Sequence, residues 1–190
     1  MKYFTLILIS ALLAIQSVSA LDIFMRAKAP TNPALNYTGD SIDSDYNGSD
    51  GWFDISSFSF GVERPVPNGS QGAADASALP LGFIKRASAV SAALFTSCVT
   101  NFSWDEVEVV FVRSGEFSTD LVMRVELRQV TVSSITGAVA NGDDSLEEEV
   151  RLSYGAQRLT FFSGGSGDQA VQTGQSVWSF VKNESSFEVE

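Results

Sequence analysis

The chain has 190 residues with 23 acidic and 12 basic side chains, no histidine and a single cysteine, for a formal charge of -11. That length suits one domain able to bury a sizeable core without staples, and a lone cysteine rules out an internal disulfide. A surplus of negative charge disfavours nucleic acid and anionic lipid as partners, while the lack of histidine removes the commonest general base and metal ligand.

Residues 1–20 read as a secretory signal peptide: Lys2, then an apolar run from Phe4 to Ile15, then the small residues Val18, Ser19 and Ala20 at a cleavage point. The apolar run is short for a bilayer span of ~20 residues, which disfavours a membrane anchor. Residue 21 is Leu rather than Cys, so lipid attachment is not indicated. Residues 21–190 are then the mature chain, a single domain carrying -12 once Lys2 is lost.

Leu21 to Lys28 alternates as a half-buried strand. Ala29 to Gly51 is rich in Pro, Asn, Asp, Gly and Ser, which is loop chemistry. Trp52 to Val62 reads as an aromatic strand, with Phe58, Phe60 and Val62 in phase. A second loop spans Glu63 to Pro80, with Pro65, Pro67 and an Asn68-Gly69 turn, followed by a short strand, Leu81 to Arg86. Ala87 to Cys98 predicts the one helix, with Ala87, Val90, Leu94 and Cys98 on a stripe. Strands follow at Val107 to Arg113 and Leu121 to Val132, the latter with Leu121, Met123, Val125 and Leu127 on a buried face. Arg124, Glu126 and Arg128 meet water or a neighbouring subunit on the other. Gly137 to Ser145 is a polar loop, Glu149 to Phe162 a strand bent near Gly155-Ala156, and Val177 to Lys182 the last strand after a Gly/Ser loop. The pattern predicts a mainly β fold: an antiparallel two-sheet barrel or sandwich with one short flanking helix.

Few residues invite chemistry. The segment Asp43 to Asp54 places Asp43, Asp45, Asn47 and Asp54 at the oxygen positions of a twelve-residue calcium loop, with Gly48 at the turn. Asp54 stands where a bidentate Glu is usual and no amphipathic helices flank the loop, so an acidic turn is the favoured reading and no metal is assigned. Cys98, among Leu94, Phe95 and Val99, reads as a small buried apolar residue rather than a reactive thiol. Glu147, Glu148 and Glu149 read as a solvated strand entrance rather than an acid/base pair. Trp52, Trp104 and Trp178 read as core or subunit contacts before stacking platforms. Ser56-Ser57 and Ser133-Ser134 show no activating base, and the Asn-x-Ser/Thr sites at Asn36, Asn47, Asn68, Asn101 and Asn183 matter only in a eukaryotic secretory path. No cofactor and no catalytic residue are assigned.

Several segments in order resemble the haemolysin-coregulated (Hcp) tube proteins of type VI secretion. These are the opening LDIFMRAK, Gly39-Asp40-Ser41 followed by Asp43, GWFDISSFSFGV, a helix ending near a cysteine, VEVVFVRSG, VELRQVTVSSITG running on through SLEEEVRLSYGAQRLTF, and the closing VWSFVKN. The resemblance implies a two-sheet β-barrel with a flanking helix, assembling as a homo-hexameric ring. It also implies rings stacking into a tube, the secretion spike and effector proteins as partners, and no catalysis. It places subunit or ring contacts in the Glu63 to Pro80 loop, at Arg64, Pro65, Val66 and Pro67; the exposed face bearing Arg124, Glu126 and Arg128, read from strand alternation, is a second candidate contact surface. The signal peptide departs from that pattern, because tube proteins of the family leave the cell through the type VI apparatus. A Sec-exported binding or surface-assembly module that keeps the fold, periplasmic or secreted, is therefore the competing reading.

Overall fold

The computed structural model describes residues 20–65, 75–114, 119–139, 141, 145–165 and 170–190. The expected signal peptide lies outside them but for Ala20, as do Val66 and Pro67. Nine strands and one α-helix occur among the described residues: β1 (Ala20–Pro30), β2 (Phe53–Asp54), β3 (Ser57–Glu63), β4 (Ser77–Arg86), α1 (Val90–Thr100), β5 (Trp104–Ser114), β6 (Thr119–Ala138), β7 (Glu147–Ser153), β8 (Ala156–Ser163) and β9 (Val171–Ser179). Every pairing is antiparallel. The fold is mainly β with one short helix, as the sequence predicts.

Strand β6 organises the molecule. Its first half pairs with β5 on one side and β8 on the other, and its second half pairs with β7. The long sheet therefore runs β2-β1-β5-β6-β8-β9 and the short sheet β6-β7-β4-β3. The opposite corner is made by one segment. Phe53 and Asp54 pair with β1, the Ile55 N–H still donates to Ile23 O, and the Ser56 N–H turns to Ile84 O as the chain joins β4. Between the sheets lies the main core, built on Met25, Phe53, Phe83, Val109, Leu127 and Val150. A smaller apolar cluster sits on the outer side of the long sheet, where Tyr46 and Trp52 cover Phe24, Val110 and Leu121.

Helix α1 packs on β6 through Val90, Ala93, Leu94 and Ser97; Val90 and Leu94 belong to the predicted stripe, while Ala87 precedes the helix. It starts three residues later, and Cys98 is half-buried. No side chain of the N-cap, Ala89, closes the first turn; the Ser91 hydroxyl accepts from the Ser88 N–H instead. Asn101 ends the helix in the left-handed region at φ 58, where Asn is tolerated. Buried Ser97 ties helix to sheet, donating to Phe102 O and accepting from the Val132 N–H.

Five segments differ from the sequence reading, each for a local reason. The expected single strand Trp52 to Val62 is two, β2 on β1 and β3 on β4, because the chain changes sheets at Ile55 and Ser56. Ser77 to Pro80, expected as loop, is strand. Pro80 sits at a bulge where Leu79 to Gly82 faces only Ser59 to Gly61, so the missing N–H costs no ladder bond there. Strand β6 runs to Ala138 through the expected loop start at Gly137, with Ser133 as the extra residue of a bulge opposite β7. The expected single strand from Glu149 to Phe162 is two, β7 and β8, pairing with different halves of β6. Strand β9 starts six residues early, because its Gln, Thr and Ser positions are exposed and show no apolar alternation.

Candidate functional site

The outer face of the long sheet carries six of the eight ion pairs found among the described residues. Register puts Arg26, Glu108, Glu126 and Arg158 side by side across β1, β5, β6 and β8, and Lys28, Glu106 and Arg128 in the next row. Glu108, its side chain only 8% exposed, takes Arg26 at 2.7 Å, Lys28 at 2.9 Å and Arg124 at 3.1 Å. Glu106 takes Lys28 at 2.9 Å and Arg128 at 3.8 Å, and Glu126 takes Arg158 at 3.3 Å. Burial pushes the Glu108 carboxyl up, but hydrogen bonds from Lys28 and Arg26 and their charges outweigh it and hold the group below the usual range.

Aromatic rings hold the guanidinium groups. Arg26 lies 4.4 Å from the centre of the Trp52 ring, Arg158 and Arg128 lie 4.1 and 5.0 Å from Phe187, and Arg124 lies 5.6 Å from Phe162. Phe187 comes from the C-terminal segment, which crosses the sheet beyond β9; no sequence signal pointed to it. Arg124, Glu126 and Arg128, read from the sequence as a surface meeting water or a neighbour, are half-buried members of this network.

At the start of β1 lies a groove of about 730 Å³ lined by Asp22, Phe24, Ser41, Ile42, Asp43 and Asp54. A smaller recess of about 320 Å³ continues it past Asp40 to Arg86. Burial raises the Asp54 carboxyl, a hydrogen bond with Ser41 opposes this, and the charges of Asp40, Asp22 and Asp43 add to the rise. Ile42 stands at the rim, 95% exposed.

The stretch weighed as a calcium loop and read as an acidic turn is folded on itself. Asp43 Oδ1 accepts from the N–H groups of Asp45 and Tyr46 at 2.8 and 2.9 Å, and Asn47 Oδ1 caps a 3-10 turn through Ser49 N–H. Asp54 sits in β2, turned to Ser41. Among the described residues no group of three or more Asp, Glu, Cys or His side chains could hold a metal ion. The Gly39-Asp40-Ser41 motif is structural: a Cβ on Gly39 would stand 2.0 Å from Trp52 O, and buried Ser41 donates its N–H to Trp52 O while accepting from Gly48 N–H.

Arg64 and Pro65 are exposed and follow directly on β3. Trp52 and Trp104 are buried as expected, and Trp178 is half-buried. Glu148 is not the solvated residue expected: it is buried against Lys85. No helix among the described residues is long and apolar enough to cross a membrane.

The sequence profile described as type VI secretion system effector, Hcp, matches residues 24–161, which is most of the chain. The chain belongs to the Hcp family. Hcp is a family of structural proteins rather than enzymes, and this chain is structural likewise. No curated protein matches the sequence. Among solved structures, the chain is similar to a type six secretion system protein at TM-score 0.69 and 19% identity, over 87% of this chain and 99% of that one. It is similar to Hcp1 from Salmonella typhimurium at TM-score 0.64 and 16% identity, over 87% and 98% of the two chains. The secreted protein Hcp3 from Pseudomonas aeruginosa aligns at TM-score 0.57 and 14% identity, over 84% and 99%. At these identities the likeness is one of fold, and it is the Hcp fold.

Proposed function

We propose that this chain is the subunit of a homo-hexameric Hcp ring, and that such rings stack into a type VI secretion tube carrying effector proteins below the secretion spike. The observation that carries the reading is coverage: the family profile runs over both sheets and the helix, and the alignments take in 99% of a solved type six secretion system protein and 98% of Hcp1 from Salmonella typhimurium. The chain has what a ring subunit needs. Among the described residues strand β3 pairs with β4 alone and β9 with β8 but for a single bridge from Ser179 to Glu184, and the charged outer face and the β3–β4 tip at Arg64 and Pro65 are partly exposed. Residues 21–190 act as one domain in the periplasm or the medium, and cleavage near Ala20 leaves the β1–β5 register from Leu21 onward in place whichever route the chain takes.

The native mass of purified residues 21–190, with electron microscopy of the same peak, tests this. A six-fold ring with an open centre is expected; a stable monomer would overturn it. The signal-like first twenty residues favour one second reading, a Sec-exported binding or surface-assembly module that keeps the fold. Export that persists without type VI genes would decide for that reading.

A further inference from the structure

The outer face of the long sheet holds five cations, Arg26, Lys28, Arg124, Arg128 and Arg158, against three carboxylates, Glu106, Glu108 and Glu126. Across these rows of strand residues positive charges exceed negative ones by two, on a chain of net charge -11 with only 12 basic residues. Its guanidinium side chains are paired within the chain yet stay in part open to solvent, Arg124 at 35% and Arg128 at 40% exposed. Stacking on Trp52, Phe162 and Phe187 fixes the guanidinium planes, so little side-chain freedom remains to be lost when an acceptor arrives.

The opposite charge lies at the far end of the same strand. Asp22, Asp40, Asp43 and Asp54 surround the seam between β1 and β2, with Arg86 alone opposing them in the lining, and Ile42 projects at the rim. From Asp22 to Lys28 along β1 is about 20 Å at ~3.3 Å per residue. Two copies of so acidic a chain repel one another unless a cationic patch meets an acidic one.

We infer that the cationic outer face of one copy docks into the acidic seam of the next, with Ile42 as the apolar centre of the contact. This rests on the ring reading and names the surfaces that make it. Two different patches joined head to tail form a heterologous interface, the kind that closes into a ring or repeats along a stack, whereas a self-complementary patch stops at a dimer.

Charge exchange tests it on the full mature chain. Arg128→Glu/Arg158→Glu and Asp40→Lys/Asp54→Lys are prepared separately, with the neutral pairs Arg128→Gln/Arg158→Gln and Asp40→Asn/Asp54→Asn beside them, and all are checked by thermal melting. Each reversed variant alone should lose assembly by at least about tenfold in sedimentation, and the neutral pairs by less. An equimolar mixture of the two reversed variants should recover it, because intact face meets intact seam and reversed face meets reversed seam. Assembly should also weaken as salt is raised toward ~1 M, where screening acts within about 3 Å. If the wild type forms rings while the neutral and reversed variants also do, the clamp is wrong and the ring stands. Two well-folded reversed variants that fail to rescue one another also overturn it. A monomeric wild type overturns clamp and ring together.

Discussion

Lys85 and Glu148 face each other across β4 and β7, Nζ to Oε2 at 3.3 Å, with the lysine 1% exposed. Ser91, in the first turn of α1, completes the group: its hydroxyl accepts from Lys85 at 3.0 Å and donates to Glu148 at 2.6 Å. The contact therefore pins the uncapped start of the helix to the short sheet.

Removing one partner strands the other charge in the interior. Glu148→Ala should lower the unfolding free energy by ~3–5 kcal/mol, while the double variant Lys85→Met/Glu148→Leu should lie near wild type or above it. Urea titrations of the three proteins measure both. A small loss in the single variant would show that water reaches the pair.

The lowered Glu108 carboxyl gives a pH signature. A group whose folded value lies below its ordinary one, 4.5 here, stabilises the fold fully above the ordinary value. That contribution is lost as pH falls through the folded one. Glu108→Gln should cost ~2 kcal/mol at pH 7, the scale of hydrogen bonds to a charged group. The gap should shrink as both proteins are taken below pH ~4 and protonation makes the wild type resemble the variant. Denaturant midpoints across that range check it; a constant gap would mean the loss is one of packing.

Gly39→Ala should unfold the loop that covers the outer apolar cluster. The new methyl would stand 2.0 Å from Trp52 O and 2.8 Å from Gly51 C, both backbone atoms that cannot swing away. Since Trp52 and Tyr46 cover Phe24 and Val110, near-ultraviolet circular dichroism should lose tryptophan and tyrosine signal. The loss of stability should be several kcal/mol, among the large single-residue effects. Gly51→Ala, with open space at the new Cβ but φ 84, should cost ~1 kcal/mol.

Deleting residues 66–74 should leave the β3–β4 hairpin intact, because its last pair is Glu63 with Ser77. Rings are expected to persist and stacking to weaken, seen as shorter tubes in negative stain at unchanged melting temperature. Tubes of undiminished length would remove this tip from the contact.

Much of the fold was legible because apolar alternation is loud where one sheet face is buried. Val107, Val109 and Phe111, and Met123, Val125 and Leu127, point to the core as the spacing says. It went quiet at edges and irregularities. Strand β9 is written in Gln, Thr and Ser, and Pro80 looked like a terminator until a bulge was seen to excuse it. The site was legible only in part. Alternation separated Arg124, Glu126 and Arg128 from the core, but their partners Glu106, Glu108, Arg26 and Arg158 are set by register between distant strands. No local pattern encodes that register. Glu148 was misread for the same reason: three consecutive acids look solvated until Lys85 is placed opposite the middle one.

Strand β6 changes which parity faces the core three times. Leu121 lies on the outer side and Met123 on the inner because Val122 is an extra residue opposite β5. Gln129, at φ 53 and level with Ala29 at φ 48 in β1, passes the inward face from Leu127 to Val130. Ser133 then passes it from Val132 to Ile135. At the two bulges the extra residue has no partner of its own, so losing it would merely restore plain alternation with every later side chain on its present side. Loss of a residue elsewhere in the strand, Gln129 apart, would turn the remainder inside out. The length of β6 is thus negotiable at 122 and 133, the two positions where the strand can be shortened without turning over.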